Sequence, residues 1–121
     1  MMGGKLRVLV VDDDKVTREL LRRVNDYFGL ETLEAKDGVE GWRVYQQTKP
    51  DLIVSDIHMP RMNGVQLLST VKKHNAGAKV ILITGYPTYL ETLRSSAHPP
   101  DGFLEKPFGI EDLRRLMVAL T

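Results

Sequence analysis

Three short runs of apolar, mostly β-branched residues each end abruptly in a polar side chain, and this pattern narrows the available folds more than any other feature. Val8-Leu9-Val10-Val11 runs into Asp12-Asp13-Asp14, Leu52-Ile53-Val54 into Ser55-Asp56, and Val80-Ile81-Leu82-Ile83 into Thr84. A strand that is apolar on both faces must be covered on both faces, which is the position of a central strand in a parallel sheet. Two weaker segments complete the set. Glu31-Thr32-Leu33-Glu34-Ala35 alternates polar with apolar, as an edge strand does. Gly102-Phe103-Leu104-Glu105 reads as a short last strand leading into Lys106-Pro107.

Helical periodicity fills the gaps. Val16, Leu20, Leu21, Val24 and Phe28 recur at helical spacing, with Asp14 placed to cap the helix and Gly29 to stop it. Asp37-Gly38 opens a second helix that ends before Lys49-Pro50; its periodicity is the weakest of the set. Asn63 is placed to cap a third, carrying Val65, Leu67, Leu68 and Val71 and ended by Gly77. Tyr89, Leu90, Leu93 and Ala97 suggest a fourth helix, cut short by Pro99-Pro100. Ile110, Leu113, Met117 and Leu120 mark a closing helix. Five strands alternating with five helices predict an α/β domain: a doubly wound parallel sheet with helices on both faces. Right-handed crossovers and the placement of apolar strands in the centre favour the strand order 2-1-3-4-5.

At 121 residues the chain is expected to be a single domain, 1–121, with its core at about 5–120 and no output domain. It has no cysteine, which excludes a disulfide scaffold, a thiolate zinc site, a cysteine nucleophile and an iron–sulfur cluster. A net charge of +1 argues against direct nucleic-acid binding. No apolar run is long enough to span a membrane, and Met1–Lys5 has no apolar signal core, so a cytoplasmic location is expected.

In a sheet of this kind, ligands bind beyond the carboxyl ends of the strands, where the strand order reverses. That rule brings together Asp12, Asp13 and Asp14, then Asp56, Thr84 and Lys106, although they are far apart in sequence. Clustered carboxylates repel one another and call for a cation; oxygen ligands of this hardness suit Mg²⁺. A carboxylate can act as a nucleophile toward phosphorus, and an ammonium and a hydroxyl can stabilise the charge on a transferring phosphoryl group.

These residues carry a resemblance. Val10-Val11-Asp12-Asp13-Asp14, Asp56-Ile57-His58-Met59-Pro60 with Met62-Asn63-Gly64, Thr84-Gly85, and Phe103-Leu104-Glu105-Lys106-Pro107-Phe108 together resemble the receiver domain of bacterial two-component response regulators. The resemblance runs from about Lys5 to Leu120 and implies a flavodoxin-like (βα)5 fold. It implies that Asp56 is the phosphoacceptor, taking a phosphoryl group from a sensor histidine kinase, a histidine phosphotransfer protein or a small phosphodonor. It implies Mg²⁺ bound by Asp13 directly, by Asp12 mostly through water, by Asp56 and by the main-chain carbonyl of His58. Thr84 then matches the switch hydroxyl, Lys106 the lysine that pairs with the phosphoryl group before a cis proline, and Phe103 the switch aromatic. Phosphorylation would shift a two-state equilibrium on the face of the fourth helix, last strand and closing helix. The implied partners are the phosphodonor protein and a downstream target or output domain. A homodimer through the same face is a further possibility the resemblance raises, and no membrane partner is implied.

Three features depart from the family pattern. Ala97-His98-Pro99-Pro100-Asp101 stands where a Gly-Ala pair is usual, Phe103 where Tyr is frequent, and bulky His58 and Tyr86 occupy positions that tune phosphoryl lifetime. Phe103 can serve equally as simple core. Trp42 and Tyr45 read as packing on the second helix, His74 and His98 as surface or loop residues. Arg18, Arg22 and Arg23 read as a solvated basic face or a partner contact. Two other functions are weighed. Asp12-x-Asp14-x-Val16 also resembles the first motif of haloacid dehalogenase-type phosphatases, with Asp12 as nucleophile and Thr84 and Lys106 as later motifs, but no pair of acids on a further strand follows Lys106. A phosphorylation-independent interaction module is the other, disfavoured by the intact set of acids, threonine and lysine. A flavin-binding flavodoxin is more remote, because the first loop is acidic.

Overall fold

The computed structural model describes residues 5–86 and 93–121. Strand β1 is Arg7–Val11, β2 Glu31–Ala35, β3 Leu52–Asp56, β4 Val80–Thr84 and β5 Gly102–Glu105. Helix α1 is Lys15–Tyr27, α2 Gly38–Thr48, α3 Gly64–His74, and the closing helix α4 is Ile110–Leu120. The strands form one sheet in the order β2-β1-β3-β4-β5, and every pairing is parallel. The expected fourth helix rests on Tyr89 and Leu90, which lie outside the described residues; Leu93 and Arg94 have helical backbone and Ser95–Pro100 do not.

Alternation along the strands divides the core into two layers. Leu9, Val11, Ile53 and Leu82 face Tyr45, Leu67, Leu68 and Val71 of α2 and α3. Val8, Val10, Leu52, Val54, Ile81 and Ile83 face Leu21 and Val24 of α1 and Leu113 and Met117 of α4. β1, β3 and β4 are almost wholly buried, as their apolar runs require. Each such side chain contributes roughly 1.5–3 kcal/mol of transfer free energy.

The caps follow the sequence. Asp14 accepts from the Val16 N–H, Asp37 from the Glu40 N–H, and Asn63 forms a reciprocal capping box with Gln66. Gly29 ends α1 in the left-handed region at φ 76°. Two expectations need correction. Val16 and Leu20 are 71% and 56% exposed, because α1 contacts the sheet along the narrower stripe of Leu21 and Val24. α3 ends at His74 with Asn75 as its cap, three residues before Gly77. His74 is exposed, as expected; its ring meets Trp42 edge-on at 5.5 Å, and Trp42 stacks on Tyr45. The weak periodicity of α2 has a physical cause. Its buried face is Gly38, Gly41 and Tyr45, and a Cβ on Gly41 would sit 3.1–3.2 Å from Val11 and Leu67.

Asp101, beyond the two prolines, has a structural task. It donates its N–H to the Val80 carbonyl, and its Oδ2 accepts from the Val80 N–H at 2.8 Å. The same oxygen pairs with Lys72 Nζ at 2.7 Å, and Lys72 also donates to the Ala78 carbonyl. The end of α3 and the starts of β4 and β5 are thereby joined. Asp101→Ala leaves a buried ammonium and N–H without their partner and is expected to cost about 2 kcal/mol. A lower urea midpoint at unchanged m-value would show it; an unchanged midpoint would refute the joint.

Candidate functional site

All five strands run in parallel, so their carboxyl ends open on one side, and β1 lies beside β3 where the order reverses. Asp12 is the first residue after β1 and is 1% exposed. Its N–H donates to the Ala35 carbonyl at 3.1 Å, and its Oδ1 accepts from the Asp14 N–H at 2.9 Å. Its Oδ2 is buried and has no hydrogen-bond partner among the described residues. Burial raises its pKa to about 6, helped by the charges of Asp56 and Asp13 and opposed by the Asp14 N–H and by Lys106. Asp56 ends β3 and is also buried, whereas Asp13 is exposed. One carboxylate oxygen from each of Asp12, Asp13 and Asp56 lies within 4.8 Å of the others.

Lys106 approaches from the far side. It follows β5, its N–H donates to the Thr84 carbonyl, and its Nζ stands 3.1 Å from Asp56 Oδ1. Burial works to lower its pKa, but the bond to Asp56 and the charges of Asp56, Asp12 and Asp13 outweigh it, and the net shift is upward. The Lys106–Pro107 peptide bond is cis, as the family resemblance implies.

Thr84 ends β4 fully buried; its Oγ1 accepts from the Tyr86 N–H at 3.0 Å and lies 3.5 Å from His58 Nε2. The His58 ring is exposed at the rim and meets the Tyr86 ring edge-on at 4.8 Å. A cavity of about 300 Å³ opens between Asp13, His58, Pro60 and Asn63. Phe103 is half-buried on β5 opposite Leu82, against the α2–α3 layer. The predicted set of Asp12, Asp13, Asp56, Thr84 and Lys106 is thus gathered at one end of the sheet, His58 borders it, and Phe103 lies one strand position before Leu104, away from the acids.

The donor set fits a magnesium ion. Three hard oxygen donors converge, and Asp12, which supplies one of them, has a buried carboxylate oxygen with no partner among the described residues.

Four residues around the site, Arg18, Arg22, Gly64 and Arg61, were not legible as its supports. Arg18 and Arg22 both pair with Glu34 of β2, and Arg18 also donates to the Asp12 carbonyl at 2.6 Å. Arg18 is largely covered and so departs from the reading of a solvated arginine face, whereas Arg22 and Arg23 are exposed as that reading expects. Gly64 packs directly on the backbone of Asp56 and Ile57. Arg61 adopts the left-handed region at φ 67° and donates to Asp37 Oδ2. The Glu40 N–H and the Arg61 guanidinium hold the Asp37 carboxyl below its usual range, against the effect of burial.

The raised pKa of Asp12 makes a sign-specific prediction. The folded chain holds this proton more tightly than the unfolded chain, whose value is 3.8. Metal-free stability is therefore lost as pH rises from about 4 through about 6, by roughly 3 kcal/mol, and stays level above. Asp12→Asn is expected to remove that loss. Urea midpoints in chelator should rise at pH 7.5 relative to wild type and match it near pH 4; equal midpoints at both pH values would contradict the shift.

Comparison with known proteins agrees with this geometry. The model of the response regulator receiver domain matches residues 8–118. Response regulator MprA of Mycobacterium sp. (strain KMS) is 33% identical over 115 residues, covering 95% of this chain and 50% of that protein. MprA of Mycobacterium bovis (strain BCG / Pasteur 1173P2) is equally similar, so the chain spans about half the length of the curated relatives it matches. Among solved structures, response regulator TrrA from Thermotoga maritima in complex with Mg²⁺-BeF is 33% identical at TM-score 0.88, with 96% of this chain and 99% of that chain covered. Chemotaxis protein CheY4 of Vibrio cholerae is 26% identical at TM-score 0.88, with 98% and 100% covered. The family match gives no support to a phosphatase with Asp12 as nucleophile. With the 2-1-3-4-5 sheet, the acidic cluster at its switch point and the family match over residues 8–118, the chain belongs to the response regulator receiver domains of two-component signalling.

Proposed function

We propose that Asp56 is the phosphoacceptor of this receiver domain and that Asp12, Asp13, Asp56 and the main-chain carbonyl of His58 hold Mg²⁺. The observation that carries the reading is the environment of Asp56. It sits among two further carboxylates on one side and Lys106 Nζ at 3.1 Å on the other. In the transfer, an Asp56 carboxylate oxygen bonds to phosphorus. The bond from phosphorus to the donor's leaving atom breaks, and that atom keeps the electron pair. The leaving atom is the imidazole nitrogen of a phosphohistidine or the acetate oxygen of acetyl phosphate. The bound metal supplies charge neutralisation for the phosphoryl oxygens. Lys106, already paired with Asp56, remains within reach of a phosphoryl oxygen. The Thr84 hydroxyl turns from the Tyr86 N–H toward the new anion.

The Thr84 rotation frees volume for Phe103, two strand positions before Glu105, the register partner of Thr84. Phe103 also lines a groove with Phe108, Leu116 and Ala119 on the β5–α4 side, which carries the output. Receiver domains work with histidine kinases and output domains; here a sensor kinase or histidine phosphotransfer protein supplies the phosphoryl group, and a target protein or output domain reads the altered face. Self-catalysed uptake and loss of the phosphoryl group is the chemistry of the domain, carried out in the cytoplasm.

The test is the intact mass of the full chain after incubation with acetyl phosphate. One phosphoryl adduct is expected with Mg²⁺ and none in chelator. Equal labelling in both, or no adduct and no Mg²⁺-dependent phosphate release, would overturn the reading.

A further inference from the structure

We propose that Arg18 is a positioning residue for the cation site, acting on the main chain of Asp12 from an anchor on the edge strand. The inference rests on the reading of Asp12 as part of that site.

Arg18 lies in the first turns of α1, and its side chain is 16% exposed. One amino group donates to the Asp12 carbonyl at 2.6 Å, while its Nε donates to Glu34 Oε1 at 3.2 Å. Arg22 takes the other oxygen of Glu34, with Nε at 2.7 Å and a second close contact from its amino group. Glu34 is thus held at both oxygens and cannot swing away from Arg18 without breaking two pairs.

The consequence falls on Asp12. Its N–H is held by the Ala35 carbonyl, its C=O by Arg18, and its Oδ1 by the Asp14 N–H. Main chain and side chain are fixed together, and Oδ2 is the atom left over for an external partner. Both main-chain restraints come through adjacent residues of β2, directly from Ala35 and through Glu34. The site's orientation therefore depends on the strand farthest from β5. A carboxylate already oriented loses less conformational freedom on binding a metal, and partners at this remove typically change metal affinity 10–100-fold.

Only a planar fork can reach both acceptors. Lysine keeps the charge but offers one nitrogen, so Arg18→Lys loses either Asp12 or Glu34. This separates positioning from charge. If Arg18 acts only through its field, Lys preserves affinity, and removing the charge tightens cation binding. If it positions Asp12, both Lys and Met weaken binding.

The experiment is titration of the full chain with Mn²⁺ in place of Mg²⁺, reading free Mn²⁺ by its electron paramagnetic resonance signal. Arg18→Lys and Arg18→Met are both expected to weaken binding about tenfold. Arg22→Lys, which disturbs the same Glu34 but does not touch Asp12, is expected to stay within about twofold of wild type. Urea midpoints run in parallel identify any variant that does not fold. Wild-type affinity in Arg18→Lys, or an equal loss in Arg22→Lys, would overturn the proposal while leaving the cation site standing. No Mn²⁺ binding by the wild type, or full binding by Asp13→Asn, would overturn the cation site itself and the role of Arg18 with it.

Discussion

Asp56→Ala is expected to abolish phosphoryl uptake, lowering adduct formation from acetyl phosphate by about a thousandfold or more. Three carboxylates crowd the site, so the loss of one need not in general be decisive. Here their environments differ. Asp12 has its Oδ1 committed to the Asp14 N–H, and the Lys106 ammonium pairs with Asp56 instead of with it. Asp13 is exposed, and its position at the rim leaves it outside the pair formed by Asp56 and Lys106. Only Asp56 has an ammonium at 3.1 Å ready to receive the charge of the incoming group. Intact-mass measurement on Asp56→Ala and Asp12→Ala decides the matter. An adduct that survives Asp56→Ala and disappears in Asp12→Ala would reverse the assignment.

Gly64→Ala is expected to cost about 3 kcal/mol of stability and, in the chains that remain folded, to slow phosphoryl uptake at least about tenfold. A Cβ at this position would lie 2.2 Å from the Asp56 carbonyl oxygen and 2.9 Å from Ile57 Cα. Both are backbone atoms, so no side chain can rotate away to make room. The Gly64 N–H also donates to the Ile57 carbonyl at 2.9 Å, which fixes the approach of α3 to the end of β3. The added methyl must therefore push the peptide that carries Asp56. Gly77→Ala is the control: its Cβ would meet only Asn75 Oδ1, at 3.4 Å, and its effect should stay within about 1 kcal/mol. Urea midpoints and uptake rates under folding conditions test both parts. A Gly64→Ala chain with wild-type stability and uptake would show that the loop tolerates the methyl.

The strands were readable because each apolar run is short, β-branched and bounded by polar residues, and burial on both faces leaves that signature in the sequence alone. The caps at Asp14 and Asn63 were readable because a cap is a local interaction over two or three residues, whereas Asp37 reads only as the turn into α2. α2 was harder, since a helix that packs through Gly38 and Gly41 shows no apolar stripe. Val16 and Leu20 misled for the opposite reason: helical spacing shows which residues share a face, not how much of that face the sheet covers.

Short-range patterns along the chain were enough for the five strands, the four described helices and the placing of Asp12, Asp56, Thr84 and Lys106 at strand ends. In a parallel sheet every strand end opens on the same side, so local chemistry was enough to place them together. How those groups are held follows from the packing of the elements. The pairing of Arg18 and Arg22 with Glu34 depends on α1 crossing beside β2. The closeness of Gly64 to Asp56 depends on the angle at which α3 enters. The burial of Asp12, whose Oδ2 has no partner among the described residues, follows from its place at the end of β1 between β2 and β3. Each of these joins residues brought together only by folding, and no periodicity along the chain encodes them.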